Sequence, residues 1–116
     1  MAKKNLSAEH TAKLIVLNAD FYGTEKGKSI SRYKISLNTL RAISKRDAIR
    51  DAFVAEVELE LAELGWLMSR NNDDECCFML MSTTGNWAKL SSKRITDLIN
   101  GGESAIDKAY EEYCEL

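Results

Sequence analysis

The sequence contains no proline, only one histidine and only three cysteines among its 116 residues. Its longest apolar runs, 14–17 and 76–81, are far shorter than the roughly 20 residues that a membrane-spanning helix needs. The basic N-terminal residues are not followed directly by an apolar stretch of the signal-peptide type. We therefore expect a cytoplasmic protein that does not enter a membrane.

The small number of cysteines argues against a disulfide-stabilised fold. Cys76 and Cys77 are neighbours in what reads as a strand, so their side chains point to opposite faces and cannot form a usual bridge. Cys114 leaves the total odd. Reduced thiols, typical of intracellular proteins, are the expected state.

Side chains suited to catalysis or metal binding are also scarce. His10 falls in the first turn of a predicted helix, where a solvated or capping role is more common than that of a base. The cysteines lack the spacing of a metal site, and no glycine-rich phosphate-binding loop is present. With so many carboxylates, chance pairings such as Glu75 with Lys89 are expected. We therefore expect no enzyme, no metal site and no cofactor.

The residues that are present suit one globular domain covering residues 1–116. Hydrophobic residues make up 45% and charged residues 29% of the sequence, without a low-complexity tract, repeat or linker. A chain of this length buries roughly two-thirds of the surface that its unfolded form exposes. It is therefore long enough for one hydrophobic core.

The charges are distributed unevenly along the chain. Residues 1–50 hold eleven Lys and Arg against four Asp and Glu, a net charge of +7, whereas residues 51–116 hold five against fourteen, a net charge of −9. This asymmetry indicates a surface that faces a polyanion, or a self-complementary assembly. The plainer interpretation is that acidic helices happen to lie late in the chain.

The first half of the chain predicts three helices and one short strand. Ser7 can cap a first helix that runs to about Tyr22 and stops at Gly23. A strand is expected within 30–35, and Ser36 can cap a second helix over 37–44. A third helix is expected from about 47 to 64, ended by a glycine. The first helix has Leu14, Ile15, Asn18, Phe21 and Tyr22 at helical spacing, and the third has Ile49, Phe53, Val57, Leu61 and Leu64 on its core face.

The second half predicts a β-hairpin followed by two helices. Apolar runs at 66–70 and 75–81 flank four turn-forming residues, 71–74. Residues 87–90 are expected to form a third strand. A short helix ending near Ile99 and a last helix from about Glu103 complete the chain. The predicted fold is α+β, with three N-terminal helices plus a β-hairpin or small antiparallel sheet, followed by two C-terminal helices.

The order of elements over residues 30–81 is strand, short helix, tight connection, longer helix, glycine and hairpin. This order resembles the winged-helix-turn-helix family, in which a short strand leads into two helices and the second helix passes into a two-stranded wing. The resemblance rests on element order over somewhat under half of the chain. It implies that residues 36–44 form the supporting helix, 47–64 the recognition helix and 71–74 the wing tip.

The resemblance implies DNA binding through the start of the recognition helix, with flanking groups on phosphates. Positive residues gather around the turn before the third helix, whereas the acids of that helix lie toward its other end. We therefore expect a small DNA-binding protein, a regulator or an accessory factor of a mobile element, whose affinity falls with salt. The expected nucleic-acid-binding residues are Lys34, Asn38, Thr39, Arg41, Lys45, Arg46, Arg50 and Arg70.

Two features of the hairpin favour a protein partner instead. Its tip, 71–74 followed by Glu75, is acidic and would repel phosphates. Both faces of its second strand are apolar, so each needs cover from the C-terminal helices or from a partner. The alternative is a protein–protein interaction module, a dimeric adaptor or an inhibitor of another protein, that uses the apolar hairpin face. Its expected interface residues are Trp66, Phe78, Met79, Met81 and Trp87.

Overall fold

The first helix, α1, spans Ala8–Lys26 in the computed structural model, which describes residues 4–115. Ser7 begins this helix because its hydroxyl accepts a hydrogen bond from the His10 backbone N–H at 3.1 Å. Gly27 ends it in the left-handed region, with φ of 67°. The N–H groups of Gly27 and of the next residue donate to carbonyls of the last turn, a Schellman arrangement.

Gly23 does not stop α1, so the predicted helix end at Tyr22 is wrong. The helix continues for about one further turn, to Lys26, with Gly23 buried inside it. A Cβ atom at Gly23 would lie 2.5 Å from the backbone oxygen of Lys28. Glycine is needed here because the returning chain passes so close to the helix, rather than because the helix ends.

The chain forms two compact units, Met1–Asn86 and Trp87–Leu116. Lys3, counted above among the basic residues, lies outside the described residues. The expectation that residues 1–116 act as one domain stays a prediction.

In the first unit, strand β1 (Arg32–Ile35) leads directly into helix α2 (Leu37–Ser44). Ser36 caps α2 as predicted, since its hydroxyl accepts a hydrogen bond from the Thr39 N–H at 3.1 Å. Lys45 ends the helix in the left-handed conformation, with φ of 56°. A non-glycine residue in this conformation is uncommon.

Helix α3 spans Asp51–Glu63, so the prediction that it begins at Asp47 is wrong. Residues 45–50 form an irregular connection, and Arg50 occupies the N-cap position without a side-chain cap. The apolar spacing of Ile49 with Phe53 suggested helix on both sides of this boundary. Ile49 nevertheless packs against the core from the connection, which explains why its spacing was misleading. The expected core face is confirmed at the buried residues Phe53, Val57 and Leu61.

The predicted hairpin is confirmed, with strands β2 (Trp66–Arg70) and β3 (Cys76–Leu80). The sheet is antiparallel throughout in the order β1-β3-β2, so β3 is central and pairs with both other strands. The third strand is therefore β1, and the prediction of a strand at 87–90 is wrong. The described residues thus confirm an α+β fold with a small antiparallel sheet.

One face of this sheet packs with α1, α2 and α3 around a hydrophobic core. Tyr33 joins the layers, because its hydroxyl donates to the Ile15 carbonyl at 2.5 Å and its ring contacts Trp66 and Phe78. Burial raises the pKa of Tyr33 to about 12, although a hydrogen bond with Asn18 opposes the shift. The buried hydrophobic residues are Ala8, Ala12, Ile15, Ala19, Ile35, Leu40, Phe53, Val57, Leu61, Trp66, Met68, Cys76 and Phe78.

The second unit contains helices α4 (Thr96–Gly101) and α5 (Glu103–Tyr113), preceded by a single 3₁₀ turn at Lys93–Ile95. The last helix begins at Glu103, as predicted. No side chain within residues 87–115 is buried. The exposed large hydrophobic residues of this unit are Trp87, Leu90, Ile95, Ile99, Ile106, Tyr110 and Tyr113.

Candidate binding surfaces

Arg46, expected to contact DNA, turns toward the chain's own N-terminal segment. Its guanidinium carbon lies 3.7 Å from the centre of the Phe53 ring, and Nη2 donates to the Leu6 carbonyl at 2.9 Å. The Leu6 N–H donates in turn to the Ser44 carbonyl at 2.9 Å. Arg46 therefore links the segment before α1 to the end of α2, and its contacts stabilise the fold.

The polar candidates on α2 also have partners within the helix. Arg41 donates from Nη1 to Oδ1 of Asn38 at 2.6 Å. The Thr39 hydroxyl lies 3.1 Å from that of the capping residue, Ser36. Reaching a phosphate or base would require these side chains to exchange existing hydrogen bonds for new ones.

Lys45 and Arg50 are exposed at the two ends of the connection between α2 and α3. A groove of about 520 Å³ lies against this connection, and both signs of charge line it. Arg46 and Arg50 contribute the positive charge, while Asp47 and Glu56 contribute the negative charge. The groove is therefore not a strongly positive site for an anion.

At the hairpin, the acidic tip neutralises the two positive candidates. Lys34 Nζ lies 2.9 Å from Oε1 of Glu75, and Arg70 forms an ion pair with Asp74. Asn71 also donates its side-chain N–H to Glu75, at 2.9 Å. Hydrogen bonds from Asn71 and Lys34 lower the pKa of Glu75, and the bond to Glu75 raises the pKa of Lys34. Neither cation is positioned as a free phosphate ligand.

The solvent-facing side of α3 has the wrong charge for the recognition helix that the resemblance implies. Residues 51–63 include no lysine or arginine. Inserting this helix between DNA phosphates would bring like charges together. Its exposed residues are Asp51, Ala52, Ala55, Glu56, Glu58, Leu59, Ala62 and Glu63.

The five expected interface residues occupy different environments. Trp66 and Phe78 are 5% and 2% exposed and belong to the core, so they cannot meet a partner without unfolding. Met79 and Met81 are half-buried, while Trp87, in the second unit, is 59% exposed. Among the expected interface residues of the hairpin, Met79 lies on the outer face of the sheet.

The outer face of the sheet forms a shallow groove of about 570 Å³. Its floor is apolar, since Leu67 of β2 pairs with Met79 of β3 and Cys77 follows on the same face. Arg32 and Lys34 border the groove along the edge strand β1. It is therefore an apolar surface with a basic margin.

Sequence reasoning missed that α1 turns its small residues inward. Of the expected stripe, only Ile15 is buried, whereas Leu14, Asn18, Phe21 and Tyr22 are exposed. The signal was the helical spacing of small residues, which a search for large hydrophobic residues overlooks. The buried residues of α1 are Ala8, Thr11, Ala12, Ile15, Ala19 and Gly23.

The thiols and acids offer no additional site among residues 4–115. The three cysteines are free, and burial raises the pKa of Cys76. No group of three His, Cys, Asp or Glu residues there could hold a metal ion. In the same described residues, no helix combines the length and apolar character needed to cross a membrane.

No protein-family model, curated protein or solved structure matches this chain. Function is therefore inferred from the chemistry of the surfaces described above.

Proposed function

We propose that this chain is a protein-binding module of winged-helix architecture, which holds an acidic amphipathic segment of its partner on the outer sheet face. The order α1-β1-α2-α3-β2-β3 supports this architecture, and the hairpin of β2 and β3 has the place of the wing. The sheet order β1-β3-β2 agrees with it. A winged-helix fold by itself does not require DNA as the partner.

The apolar groove on the outer sheet face is the observation that supports protein binding. Leu67 is 38% exposed there, beside the half-buried Met79 and Cys77. Apolar side chains bordered by polar ones are typical of protein-binding surfaces. Methionine also adapts its shape to different partners because its side chain is unbranched and flexible.

The margin of the groove favours an acidic partner segment. Arg32 and Lys34 are two residues apart on β1, so their side chains leave the strand on the same face. Lys34 is already paired with Glu75, so Arg32 is the cation of this margin that a partner carboxylate would meet. A segment with an apolar stripe and flanking Asp or Glu residues therefore suits both the floor and the margin.

Two synthetic helical peptides with the same apolar stripe, one flanked by glutamates and the other by lysines, test this proposal. We expect only the glutamate peptide to bind, with changes in backbone amide NMR signals concentrated in β1, β2 and β3. Met79→Glu should weaken its binding at least about tenfold, a cost of about 1.4 kcal/mol. The matched control is Leu59→Glu, because Leu59 is 69% exposed on α3 and lies outside the groove.

Equal binding of the two peptides would contradict the charge requirement. Loss of binding in Leu59→Glu as well as in Met79→Glu would show that the peptide does not bind specifically to the outer sheet face.

DNA is the second candidate partner, favoured by the exposure of Lys45 and Arg50 at the two ends of the connection between α2 and α3. The double variant Lys45→Ala/Arg50→Ala should weaken binding to a labelled duplex and reduce its salt slope by about 1–2. Lys26→Ala/Lys28→Ala removes the same charge at the C-terminal end of α1 and serves as the control. Absence of duplex binding by the wild type at low salt would eliminate this candidate.

A further inference from the structure

Apart from Ile15, the large apolar residues of α1 are arranged the opposite way from those of an ordinary surface helix, whose large hydrophobic residues face the core. The inner face of α1 consists mainly of alanine, threonine and glycine. On the outer face, Leu14, Leu17 and Phe21 are 39%, 43% and 60% exposed. None of these three side chains belongs to the core cluster, so burial of their exposed surface against another molecule would be favourable.

The outer residues follow the spacing of a helix–helix seam. The steps from Leu14 to Leu17 and from Leu17 to Phe21 are three and four residues, the alternation that keeps side chains facing a partner helix. His10, four residues before Leu14, lies on the same face. His10, Leu14, Leu17 and Phe21 together form a line of side chains along the outer face of α1. The line covers about three turns of α1, or roughly 16 Å at a rise of 1.5 Å per residue.

We propose that the outer face of α1 is a homodimer interface, on which α1 of a second copy packs antiparallel about a two-fold axis. In this arrangement Leu14 faces Leu17 of the second copy, and Phe21 faces the second copy's His10. A two-fold interface must be complementary to itself. The apolar line meets this condition because its two leucines lie near its centre.

The flanking charges favour the antiparallel direction. Lys13 and Asp20 are seven residues apart, so they lie along the same flank of the apolar line. Antiparallel packing places Lys13 of each copy near Asp20 of the other and forms two symmetric ion pairs. Within its own helix, Lys13 has only an exposed contact with Glu9 at 3.9 Å.

The exposed apolar area on α1 determines how strongly two copies are expected to associate. Large apolar side chains offer roughly 150–250 Å² each, so the exposed fractions correspond to a few hundred Å² per copy. A standard interface buries about 800 Å² per partner. We therefore expect a reversible dimer with a dissociation constant in the micromolar range.

Sedimentation velocity from low to high micromolar concentration tests this expectation. The wild type should shift from its monomer mass of 13.0 kDa toward twice that value. Leu17→Glu and Phe21→Ser should each remain monomeric over the same range, while Leu59→Glu on α3 should behave as the wild type. Circular dichroism checks the fold of each variant, and two different substitutions guard against failure of one to fold.

Charge exchange tests the direction of packing. Lys13→Glu and Asp20→Lys should each weaken the dimer several-fold, because each places like charges across the interface. The double variant should regain wild-type association. An equimolar mixture of the two single variants should form a heterodimer more strongly than either variant associates with itself.

A wild type that stays monomeric at high concentration would overturn the proposal, as would a dimer unaffected by Leu17→Glu and Phe21→Ser. A dimer without charge-exchange rescue would overturn the antiparallel arrangement. These results are distinguishable from failure of the sheet groove, because peptide binding to β1–β3 is measured separately on the monomeric variants.

Discussion

Tyr33 connects the sheet to α1 through one side chain, which makes it a residue with an unusual influence on stability. Its hydroxyl donates a hydrogen bond at 2.5 Å to the carbonyl of Ile15, which lies in the middle of α1. Its ring also contacts Trp66 and Phe78. The phenol is therefore held in its neutral form, as the raised pKa indicates.

Replacing Tyr33 with Phe should change the alkaline stability of the fold. In the wild type, the unfolded phenol ionises near pH 10 and the folded phenol near 12, so the free energy of unfolding falls as pH rises between these values. Tyr33→Phe should lose about 1 kcal/mol at neutral pH with the hydrogen bond, but show a shallower alkaline decline. Denaturant unfolding from pH 8 upward measures both effects, and parallel pH curves would contradict the assignment.

At the scale of the element, the hairpin is organised by the contacts of its own tip. Asn71 accepts hydrogen bonds at 3.0 Å from the backbone N–H groups of Asp73 and Glu75, which shapes the turn. Lys34 then links Glu75 to the neighbouring strand β1. The same carboxylate therefore joins the turn of the hairpin to the edge of the sheet.

This arrangement predicts an acid-dependent weakening of the hairpin. The pKa of Glu75 lies below its usual value near 4.5, so its stabilising effect is present above that value and is lost as pH falls through the folded pKa. NMR titration of the Glu75 carboxyl should give a pKa below 4.5, and Lys34→Met should move it upward. An unchanged Glu75 pKa in Lys34→Met would show that the ion pair has no effect in solution.

Local signals in the sequence predicted the hairpin and the caps, but contacts between distant residues remained invisible. Two apolar runs around a polar turn identified β2 and β3, and Ser7 and Ser36 identified two helix starts correctly. The spacing of Ile49 and Phe53 did not reveal that the helix begins between them. Nor does the sequence indicate that Arg46 bonds to Leu6, forty residues away, so the basic residues around the connection predict a DNA-binding surface.

At the scale of the whole molecule, the buried side chains among residues 4–115 all belong to one of the two units. Every buried hydrophobic residue lies between Ala8 and Phe78, and the buried polar residues Thr11 and Ser44 lie in the same range. Residues 87–115 contain a 3₁₀ turn and two short helices, and none of their side chains is buried. Helices of this length are marginal in water unless packing stabilises them.

We expect a shortened chain of residues 1–86 to fold, because it keeps the whole core. It should retain a cooperative thermal transition and the near-ultraviolet dichroism of Trp66, which is 5% exposed. A peptide of residues 87–116 should be largely unfolded by circular dichroism. A helical peptide, or a shortened chain without a cooperative transition, would contradict this division of stability.

The small inner residues of α1 have a consequence for the mutations that the chain can tolerate. Ala12 and Ala19 are 0% and 3% exposed where α1 packs on its neighbours, so larger side chains there would force the helices apart. Leu14 and Phe21, by contrast, can change to most residues without disturbing the monomer. In a library of random variants selected for folding, the small inner positions Ala12 and Ala19 should therefore be among the most restricted of this helix, and the large outer positions Leu14 and Phe21 among the most variable.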